Sequence, residues 1–465
     1  MSIILKNLSK YIAIFILITV SISIGIISTI SPNIDQYSAE IKGWLNENNS
    51  YEIDFKEMSA SWSIEGPELI LANPVIREKS SRLNIIEMEE LIASIGFVDF
   101  IMGRAVTPNQ LKFRNLEIDI SFSPAGDLLF QGLSSVNLTE LIGHKNNTSS
   151  NLNVEGEIVL LNISLPSQEE INLSIPRIQI ERNNNEINLE TDFILPEIFG
   201  NSIFLSASKR ISQVNSSSEW ILYIEGEELD IQHWMNAAEV KNGNAINGKL
   251  NIQSWFEFDL DNLNRMTADI SLNELTNQNS RKKSLDIKSR IEFSDNEFGW
   301  FAVADKFQLS RENGFSPESR IEVQINENKI DGRTTLDSNI SFLDLRDLSS
   351  ISAVIENNFL SDFLKLQPSG QLKDTKINIS DLREPNNRFD ISTDFDDLGL
   401  LVTTNKNQEI NKLNIEGGSG KFFLNQTGGR LDLSTQDLLI TSDYYFDGNL
   451  SLSSAEGAII WRRMS

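Results

Sequence analysis

The chain of 465 residues contains no cysteine. A disulfide framework, a thiolate metal site and a cysteine nucleophile are therefore excluded. The absence of thiols suits a protein of an oxidising compartment such as the bacterial periplasm, where stray cysteines would mispair. It does not by itself assign the compartment.

Histidine is almost as scarce, because His144 and His233 are the two in the sequence. Histidines this far apart form no recognisable metal motif, and both are interpreted as structural. The sequence also lacks a Gly-x-Ser-x-Gly elbow, a phosphate-binding Gly-x-x-x-x-Gly-Lys loop and a His-Glu-x-x-His motif. We therefore predict that the protein is not an enzyme and carries no metal and no cofactor.

Two acidic clusters are the remaining candidates for chemistry, EGEELD at 225–230 and DFDDLG at 394–399. Paired carboxylates can serve acid–base catalysis or bind calcium. Clusters of this kind are more often solvated strand ends or the amino termini of helices, where the helix dipole favours negative charge. The second interpretation is preferred for both.

Positive charge is in short supply, since 40 lysines and arginines face 66 aspartates and glutamates and the formal net charge is −26. This charge repels phosphates, so nucleic acid is not an expected partner. It also opposes flat binding to an anionic bilayer. Hydrophobic residues make up 40% of the chain and charged residues 23%, which indicates a folded protein.

One long hydrophobic run is present, YIAIFILITVSISIGIISTI at 11–30. At the rise of an α-helix it is about 30 Å long, enough to cross a bilayer core. Lys6 and Lys10 precede the run and predict that residues 1–10 are a cytoplasmic stub, with the rest of the chain across the membrane. The alternative is a cleaved signal peptide, but the run is long and Ser28–Pro32 makes a poor cleavage site.

Residues 31–50 are predicted to form a juxtamembrane amphipathic helix after Pro32 breaks the preceding one. Tyr37 and Trp44 are the candidates for contact with the membrane interface. The alternative is a helix that caps the first strands of the folded domain. The apolar residues at helical spacing are Ile34, Tyr37, Ile41, Trp44 and Leu45.

Beyond residue 50 the hydrophobic pattern repeats every second residue, as in β-strands with one apolar face. In KLNIQSWFEFDLDNLNRMTADISLNEL (249–275) this pattern predicts two antiparallel strands joined by a polar turn at DNLNR. The same motif recurs along most of the chain. The residues predicted to form the apolar face of this hairpin are Leu250, Ile252, Phe256, Phe258, Leu260, Met266, Ala268, Ile270 and Leu272.

Helical patterns are few and short, at 91–103, 229–240 and 360–367. They cannot cover so many strands, and no long linker divides residues 51–465, which we predict to form one repetitive, mostly antiparallel β domain. A β-sandwich would bury the apolar face on itself. A closed barrel would turn it to lipid, although an apparent anchor disfavours that solution. A long curled sheet would enclose a hydrophobic groove, and periodicity alone does not choose among the three.

Several motifs in a fixed order resemble a known family. The chain resembles the amino-terminal part of the YhdP-type members of the AsmA-like, inner-membrane-anchored envelope proteins. After the anchor and short helix come SASWSIEGPELIL (59–71), YIEGEELDIQHWMN (223–236), NGKLNIQSWFEFDLDNLNRMTADISL (247–272), FSDNEFGWFAVADKFQLS (293–310), LQPSGQLKD (366–374) and LSSAEGAIIWRR (452–463).

The resemblance implies an elongated β-groove, anchored in the inner membrane with its bulk in the periplasm, that takes part in phospholipid transport toward the outer membrane. Its expected partners are phospholipid acyl chains and the inner membrane bilayer. Other envelope proteins, or a continuation of the same bridge, are further expected partners, because members of the family continue beyond a strand like that of Gly457 and Trp461. The alternative is a structural or assembly factor of the envelope, with a closed β-sandwich array and no lipid conduit.

Overall fold

A computed structural model of the chain describes most of the sequence after residue 34. The predicted anchor at 11–30 lies outside the described residues. Within them, no helix is both long enough and apolar enough to span a bilayer. The described residues are 35–46, 51–63, 66–79, 84–94, 108–122, 128–130, 152–164, 170–183, 186–210, 219–238, 246–259, 262–277, 284–296, 298–327, 332–354, 358–383, 389–406, 409–442 and 448–462.

The described residues form β-strands for the most part, with a few short helices, which confirms the predicted mostly β class. They divide into two compact units. The first holds residues 1–196 and 204–213, and the second holds 197–203 and 214–465.

The first unit opens with helix α1 and continues through strands that are 3 to 13 residues long. Its elements are α1 Ser38–Asn46, β1 Tyr51–Asp54, β2 Glu57–Trp62, β3 Pro67–Ala72, β4 Val75–Glu78, β5 Asn84–Glu87, β6 Glu90–Ser94, β7 Gln110–Phe122, β8 Leu128–Phe130, β9 Leu152–Ser164, β10 Glu170–Arg182, β11 Glu186–Ile194 and most of β12 Ser202–Arg210.

Strand β7 is the centre of this unit. It pairs antiparallel with β6, β5 and β8, and parallel with β9, which continues antiparallel to β10 and β11. Leu116, Val159 and Ile175 from β7, β9 and β10 form a buried cluster. Gly156 lies opposite Phe113, and its missing side chain leaves room for the phenyl ring.

Helix α1 lies within the predicted helical span and packs on the first strands. Its Ile41 contacts the buried cluster of Phe55, Met58 and Leu71. Lys42 Nζ donates to Asp54 Oδ1 at 2.5 Å and to the carbonyl oxygen of Phe55 at 2.8 Å. These contacts favour the interpretation of α1 as a cap on the strands.

The helix predicted at 91–103 is wrong at its start. Leu91 to Ser94 belong to β6, which pairs with β3 on one side and β7 on the other. Hydrogen bonds to two neighbouring strands outweigh the local helical pattern, so tertiary pairing decides the conformation. Residues 95–103 lie outside the described residues.

The second unit is an antiparallel ladder of longer strands. Its elements are β13 Glu219–Asp230, α2 Ile231–Ala237, β14 Ile246–Asp259, β15 Asn262–Asn277, β16 Leu285–Asn296, β17 Gly299–Arg311, β18 Gly314–Phe315, β19 Ser319–Glu327, β20 Thr334–Asp344, a 3₁₀ turn Leu345–Asp347, α3 Leu348–Val354, α4 Asn358–Leu364, β21 Ser369–Ile379, β22 Phe389–Lys406, β23 Glu409–Asn425, β24 Gly428–Thr435, β25 Leu438–Ser442, β26 Gly448–Leu452 and β27 Ala455–Arg462.

From β13 to β23 each long strand pairs with the next, apart from the two-residue strand β18, which pairs back on β17. Strand β23 then pairs with β24 through one half and with β25 through the other. Strands β27 and β26 complete the ladder on β24 and β25 respectively. A strand order that follows the sequence explains why hairpin turns recur throughout this unit.

Two helical predictions hold only in part. In the span 229–240, Leu229 and Asp230 end strand β13, and the helix is Ile231–Ala237. The span 360–367 corresponds to α4, which ends at Leu364. Helix α3 was not predicted, because its seven residues carry too short a hydrophobic pattern to distinguish from a turn.

Candidate lipid-binding face

The register between β14 and β15 brings the predicted residues of both strands together. Residues directly opposite in an antiparallel pair have side chains on the same side of the sheet. Ser254 and Ala268 lie opposite each other at the centre of this hairpin. The other opposed pairs are Leu250 with Leu272, Ile252 with Ile270, Phe256 with Met266, and Phe258 with Leu263.

One detail of the hairpin differs from the prediction. A register shift between Glu257 and Phe258 places Phe258 opposite Leu263, a residue that strict alternation had not selected. Leu260 lies outside the described residues. The turn residues between the strands thus decide which side chain completes the apolar face.

The same face continues along the ladder in both directions. Leu222 and Ile224 of β13 lie opposite Phe256 and Ser254, so they extend the face on one side. On the other side, strand pairing aligns apolar side chains with the hairpin across seven further strands, as far as β24 and β27. We call this set the apolar face; its further members include Ile291, Phe293, Ala302, Ala304, Ile321, Val323, Leu336, Ile340, Ile377, Ile391, Phe422, Leu424, Leu431 and Ile459.

The large side chains of the hairpin are half-buried rather than buried. Ala268, at 2% exposure, is the one predicted lining residue in the described set that is fully buried. The Phe256 and Phe258 rings are stacked, with centroids 6.2 Å apart, and both remain half-buried. The closed core of a sandwich would bury leucine, isoleucine and phenylalanine almost completely. Their partial exposure is what a single layer of sheet with an accessible face gives.

Helices α2 and α3 cover one end of the apolar face. There Leu275, Leu285, Leu309 and Val354 form a buried cluster. Ile231 of α2, Ile351 of α3, and Leu272 and Ile287 of the sheet pack against it. This end therefore has an ordinary hydrophobic core, in contrast with the half-buried residues further along the strands.

An ion-pair network stabilises the turn between β20 and α3. Arg311 of β17 donates to Asp347 at 2.6 Å and to Asp344 at 3.1 Å, and Arg346 donates to Asp344 at 2.6 Å. Asp344 is 2% exposed. Burial raises the pKa of its carboxyl group, but the hydrogen bonds and charge of Arg346 and the charge of Arg311 outweigh burial and hold the pKa below its usual value.

Asp230, the last residue of the EGEELD cluster, is the amino-terminal cap of α2. Its carboxylate accepts from the backbone N–H of His233 at 3.1 Å and from Lys249 Nζ at 3.2 Å, and His233 Nδ1 lies 2.8 Å from it. Burial raises the pKa of Asp230, but these bonds outweigh burial and lower it. The cap confirms the interpretation of this cluster as a helix amino terminus and gives His233 a structural contact. His144 lies outside the described residues.

The opposite face of the ladder carries charge. Arg290 lies 3.7 Å from Asp269 on the neighbouring strand, which is one of several cross-strand ion pairs. The DFDDLG cluster joins this pattern, since Lys421 lies 3.0 Å from Asp394 and Lys373 lies 3.1 Å from Asp396. The sheet therefore separates an apolar side from a solvated side.

Trp255 stands on the charged side, as strand alternation predicts. Its ring is tilted against that of Tyr223 on β13, with centroids 5.2 Å apart, and the residue is 37% exposed. Trp255 thus packs across the strand pair rather than beneath a further layer.

Comparison with known proteins gives one family. A family model described as YhdP protein matches residues 1–465. The chain belongs to the YhdP family. The resemblance predicted from its ordered motifs is therefore confirmed, and the match spans both units described above. No curated protein and no solved structure matches the chain. At the family level, YhdP proteins are associated with the bacterial envelope and with lipid transport.

Some features of the YhdP apolar face were missed from the sequence. The strands of Leu222, Phe293 and Val323 show alternation in the sequence, but their alignment with the hairpin depends on the register in which neighbouring strands pair. The sequence does indicate helix α2, which covers one end of the face, because Asp230 stands as an N-cap before an apolar helical pattern.

Proposed function

We propose that this chain is a membrane-anchored, periplasmic lipid-binding protein whose apolar face holds phospholipid acyl chains during transport between the inner and outer membranes. The observation that carries the proposal is the partial exposure of large apolar side chains along an aligned face. An acyl chain bound on this face would remove water from the apolar side chains and from its own methylene groups.

The energetics favour chain binding. Each methylene removed from water contributes about 0.8 kcal/mol, so a contact of six to eight methylenes gives about 5–6 kcal/mol before the cost of ordering the chain. The hairpin rows of the face contain no charged side chain. Recognition would therefore depend on the acyl chain, with little discrimination among headgroups.

The hydrophobic run in the sequence and the envelope association of the family support the proposed place in the cell. Tyr11–Ile30 would serve as a retained anchor in the inner membrane, with Tyr37 and Trp44 near the membrane interface. Tyr37 is 55% exposed, so its ring is free to reach lipid headgroups while Ile41 packs inward. The Trp44 side chain lies outside the described residues. The role is one of binding and transfer, and requires neither catalysis nor a cofactor.

Photo-crosslinking in the native membrane tests the proposal. A photoreactive amino acid at Phe256 or Ile270 should give lipid adducts, because both side chains lie on the apolar face. The matched control is Gln253, which is exposed on the charged side of the same hairpin. Adducts at the first two positions and none at Gln253 support the proposal. An absence of adducts at Phe256 and Ile270, or equal adducts at Gln253, rejects it.

A hydrophobic dye distinguishes the groove from an assembly factor with a closed sandwich. An accessible apolar face should increase dye fluorescence in the native protein without any denaturant. With a closed core, dye fluorescence would stay low until the protein unfolds. The half-buried state of the hairpin residues supports the first outcome.

A further inference from the structure

Buried amide oxygens without a hydrogen-bond partner are concentrated in the first unit. Among the described residues, those of Asn109, Gln110 and Asn153 lie where strands β7 and β9 begin, and a further one is on Asn339 of β20. Buried polar atoms are nearly always paired. Several unpaired acceptors in one place therefore indicate a ligand that accepts electron pairs from oxygen.

A row of oxygen-bearing side chains crosses the sheet at this level. Ser94 of β6 lies opposite Glu68 of β3 on one side and Gln110 of β7 on the other. Gln110 in turn lies opposite Asn153 of β9. Residues directly opposite in paired strands project to the same side of the sheet. Ser94 is 0% exposed and Gln110 is 6% exposed, so the middle of the row is shielded from solvent.

Existing hydrogen bonds orient the two ends of the row. Asn153 Nδ2 donates to Glu155 Oε1 at 3.3 Å, which leaves the oxygen of that amide as the unpaired atom. Glu68 Oε2 accepts from Ser61 Oγ at 2.7 Å. Ser94 Oγ lies 3.5 Å from Glu68 Oε1, at the long limit of a hydrogen bond. Glu68 Oε1 therefore keeps capacity for a further partner beside Ser94.

We propose that this row binds a calcium ion between Glu68, Ser94, Gln110 and Asn153. The four donors are a carboxylate, a hydroxyl and two amide oxygens, which are ligands that calcium takes, and they include no nitrogen or sulfur of the kind that zinc and copper prefer. Calcium lies about 2.3–2.6 Å from its oxygens, so two donors on opposite sides of the ion are about 5 Å apart. Neighbouring strands have the same spacing, about 4.8 Å.

The charges around the row favour a cation. Lys112 lies two residues from Gln110 on the same strand, but its Nζ is 3.7 Å from Glu155, which offsets its charge. Glu181 of β10 lies opposite Asn153 and adds a second carboxylate at that end of the row. Because a single carboxylate belongs to the donor set, the expected dissociation constant is about 10⁻⁴–10⁻³ M.

The donor set explains why sequence motifs did not predict a metal. Among the described residues, no group of three histidine or carboxylate side chains could hold a metal ion. The proposed donors are mostly neutral, and they come from four strands that meet only in the folded unit. Bound calcium would link the parallel pair β7–β9 to β6 and β3. The inference is independent of the lipid-binding proposal, because the apolar face belongs to the second unit.

Equilibrium dialysis of the full chain in detergent with radioactive calcium tests the site. Excess magnesium in the buffer suppresses binding to the acidic surface. We expect one saturable site per chain. Gln110→Met and Asn153→Leu each remove one donor oxygen at nearly constant volume and should weaken binding about tenfold or more. Asn339→Leu is the matched control, an unpaired buried amide oxygen that lies between Glu322 and Lys376, and should bind as the parent does.

Thermal unfolding separates loss of the site from loss of the fold. In a chelator, Gln110→Met and Asn153→Leu should unfold close to or above the parent temperature, because each removes an unpaired buried oxygen. Saturating calcium should raise the midpoint of the parent and of Asn339→Leu by a few degrees and leave the other two unchanged. If either of those two does not fold, Glu68→Gln supplies the comparison, since it keeps the side-chain shape and removes the charge.

Three results would overturn the proposal. The first is an absence of saturable binding up to about 10 mM calcium, ten times the weakest dissociation constant expected. The second is an unchanged affinity in Gln110→Met and Asn153→Leu, which would mean that buried water satisfies the amide oxygens. The third is a calcium-induced rise of the midpoint in those variants as large as in the parent. Binding of one ion, weakened by both variants and kept in Asn339→Leu, would establish the site.

Discussion

Ile252 of β14 lies directly opposite Ile270 of β15 on the apolar face. The next residues along this row are small, Gly226 on β13 and Ser289 on β16. Both isoleucines are half-buried, and Leu229 reaches into the space over Gly226. This row is the place where a substitution should change lipid binding most and folding least.

The first prediction concerns this row. Ile270→Asn should lower the phospholipid that copurifies with the chain several-fold, because an unpaired amide on the face would lose its water when an acyl chain binds. Asp269→Asn on the charged side of the same strand is the control and should keep its lipid. Lipid extraction and mass spectrometry measure both. Equal lipid content in the two variants would contradict a role of the apolar face.

The second prediction concerns the cap of α2. Asp230→Ala removes the acceptor for the His233 backbone N–H and the partner of Lys249. Loss of an N-cap costs about 1 kcal/mol, so residues 231–237 should exchange their amide hydrogens faster. Glu227→Ala makes the same change of charge at an exposed residue nearby and should leave exchange unchanged. Hydrogen exchange with mass spectrometry resolves the two.

The third prediction concerns the network beside α3. Asp344→Asn should lower the free energy of unfolding by about 1.5–3 kcal/mol, since it removes the buried carboxylate that accepts hydrogen bonds from Arg346 and Arg311, while Arg311 keeps Asp347 as a partner. Asp337→Asn on the exposed side of the same strand is the control, with an expected change below about 0.5 kcal/mol. Urea denaturation measures both. Similar midpoints for the two variants would show that the network contributes little.

The strands were predictable from the sequence because each alternation is local. Residues 250–258 and 266–272 show their period of two without any knowledge of neighbours. What the sequence did not show is how strands align with one another. The shift that brings Leu263 opposite Phe258, and the two partners that make Leu91–Ser94 a strand, depend on contacts between residues far apart in the chain. The helices were hard to place because a helix of seven residues has only about two turns, which is too short for a clear helical hydrophobic pattern.

The fourth prediction concerns the first unit. Gly156→Val should destabilise it by about 1–3 kcal/mol, because a side chain there would overlap the Phe113 ring and Ile178. Gly43→Ala in α1 is a contrasting control, since no atom lies within 4 Å of the added carbon. Alanine in a helix should stabilise by up to about 1 kcal/mol relative to glycine. Thermal unfolding followed by circular dichroism should move in opposite directions for the two variants.

The fifth prediction concerns acid. The pKa of Asp344 is lowered in the folded protein from a reference value of 3.8, so its contribution to stability is present above that value and is lost as the pH falls through the lower folded pKa. The difference in unfolding free energy between the parent and Asp344→Asn should therefore be constant from about pH 7 to about pH 5, and should shrink below about pH 4 as the parent carboxylate is protonated. Urea titrations at a series of pH values measure this difference. Asp230→Ala should show the same narrowing in the same pH window, because the pKa of Asp230 is also lowered. A difference that stays constant down to about pH 2 would mean that the charge of Asp344 adds nothing beyond its shape and hydrogen bonds.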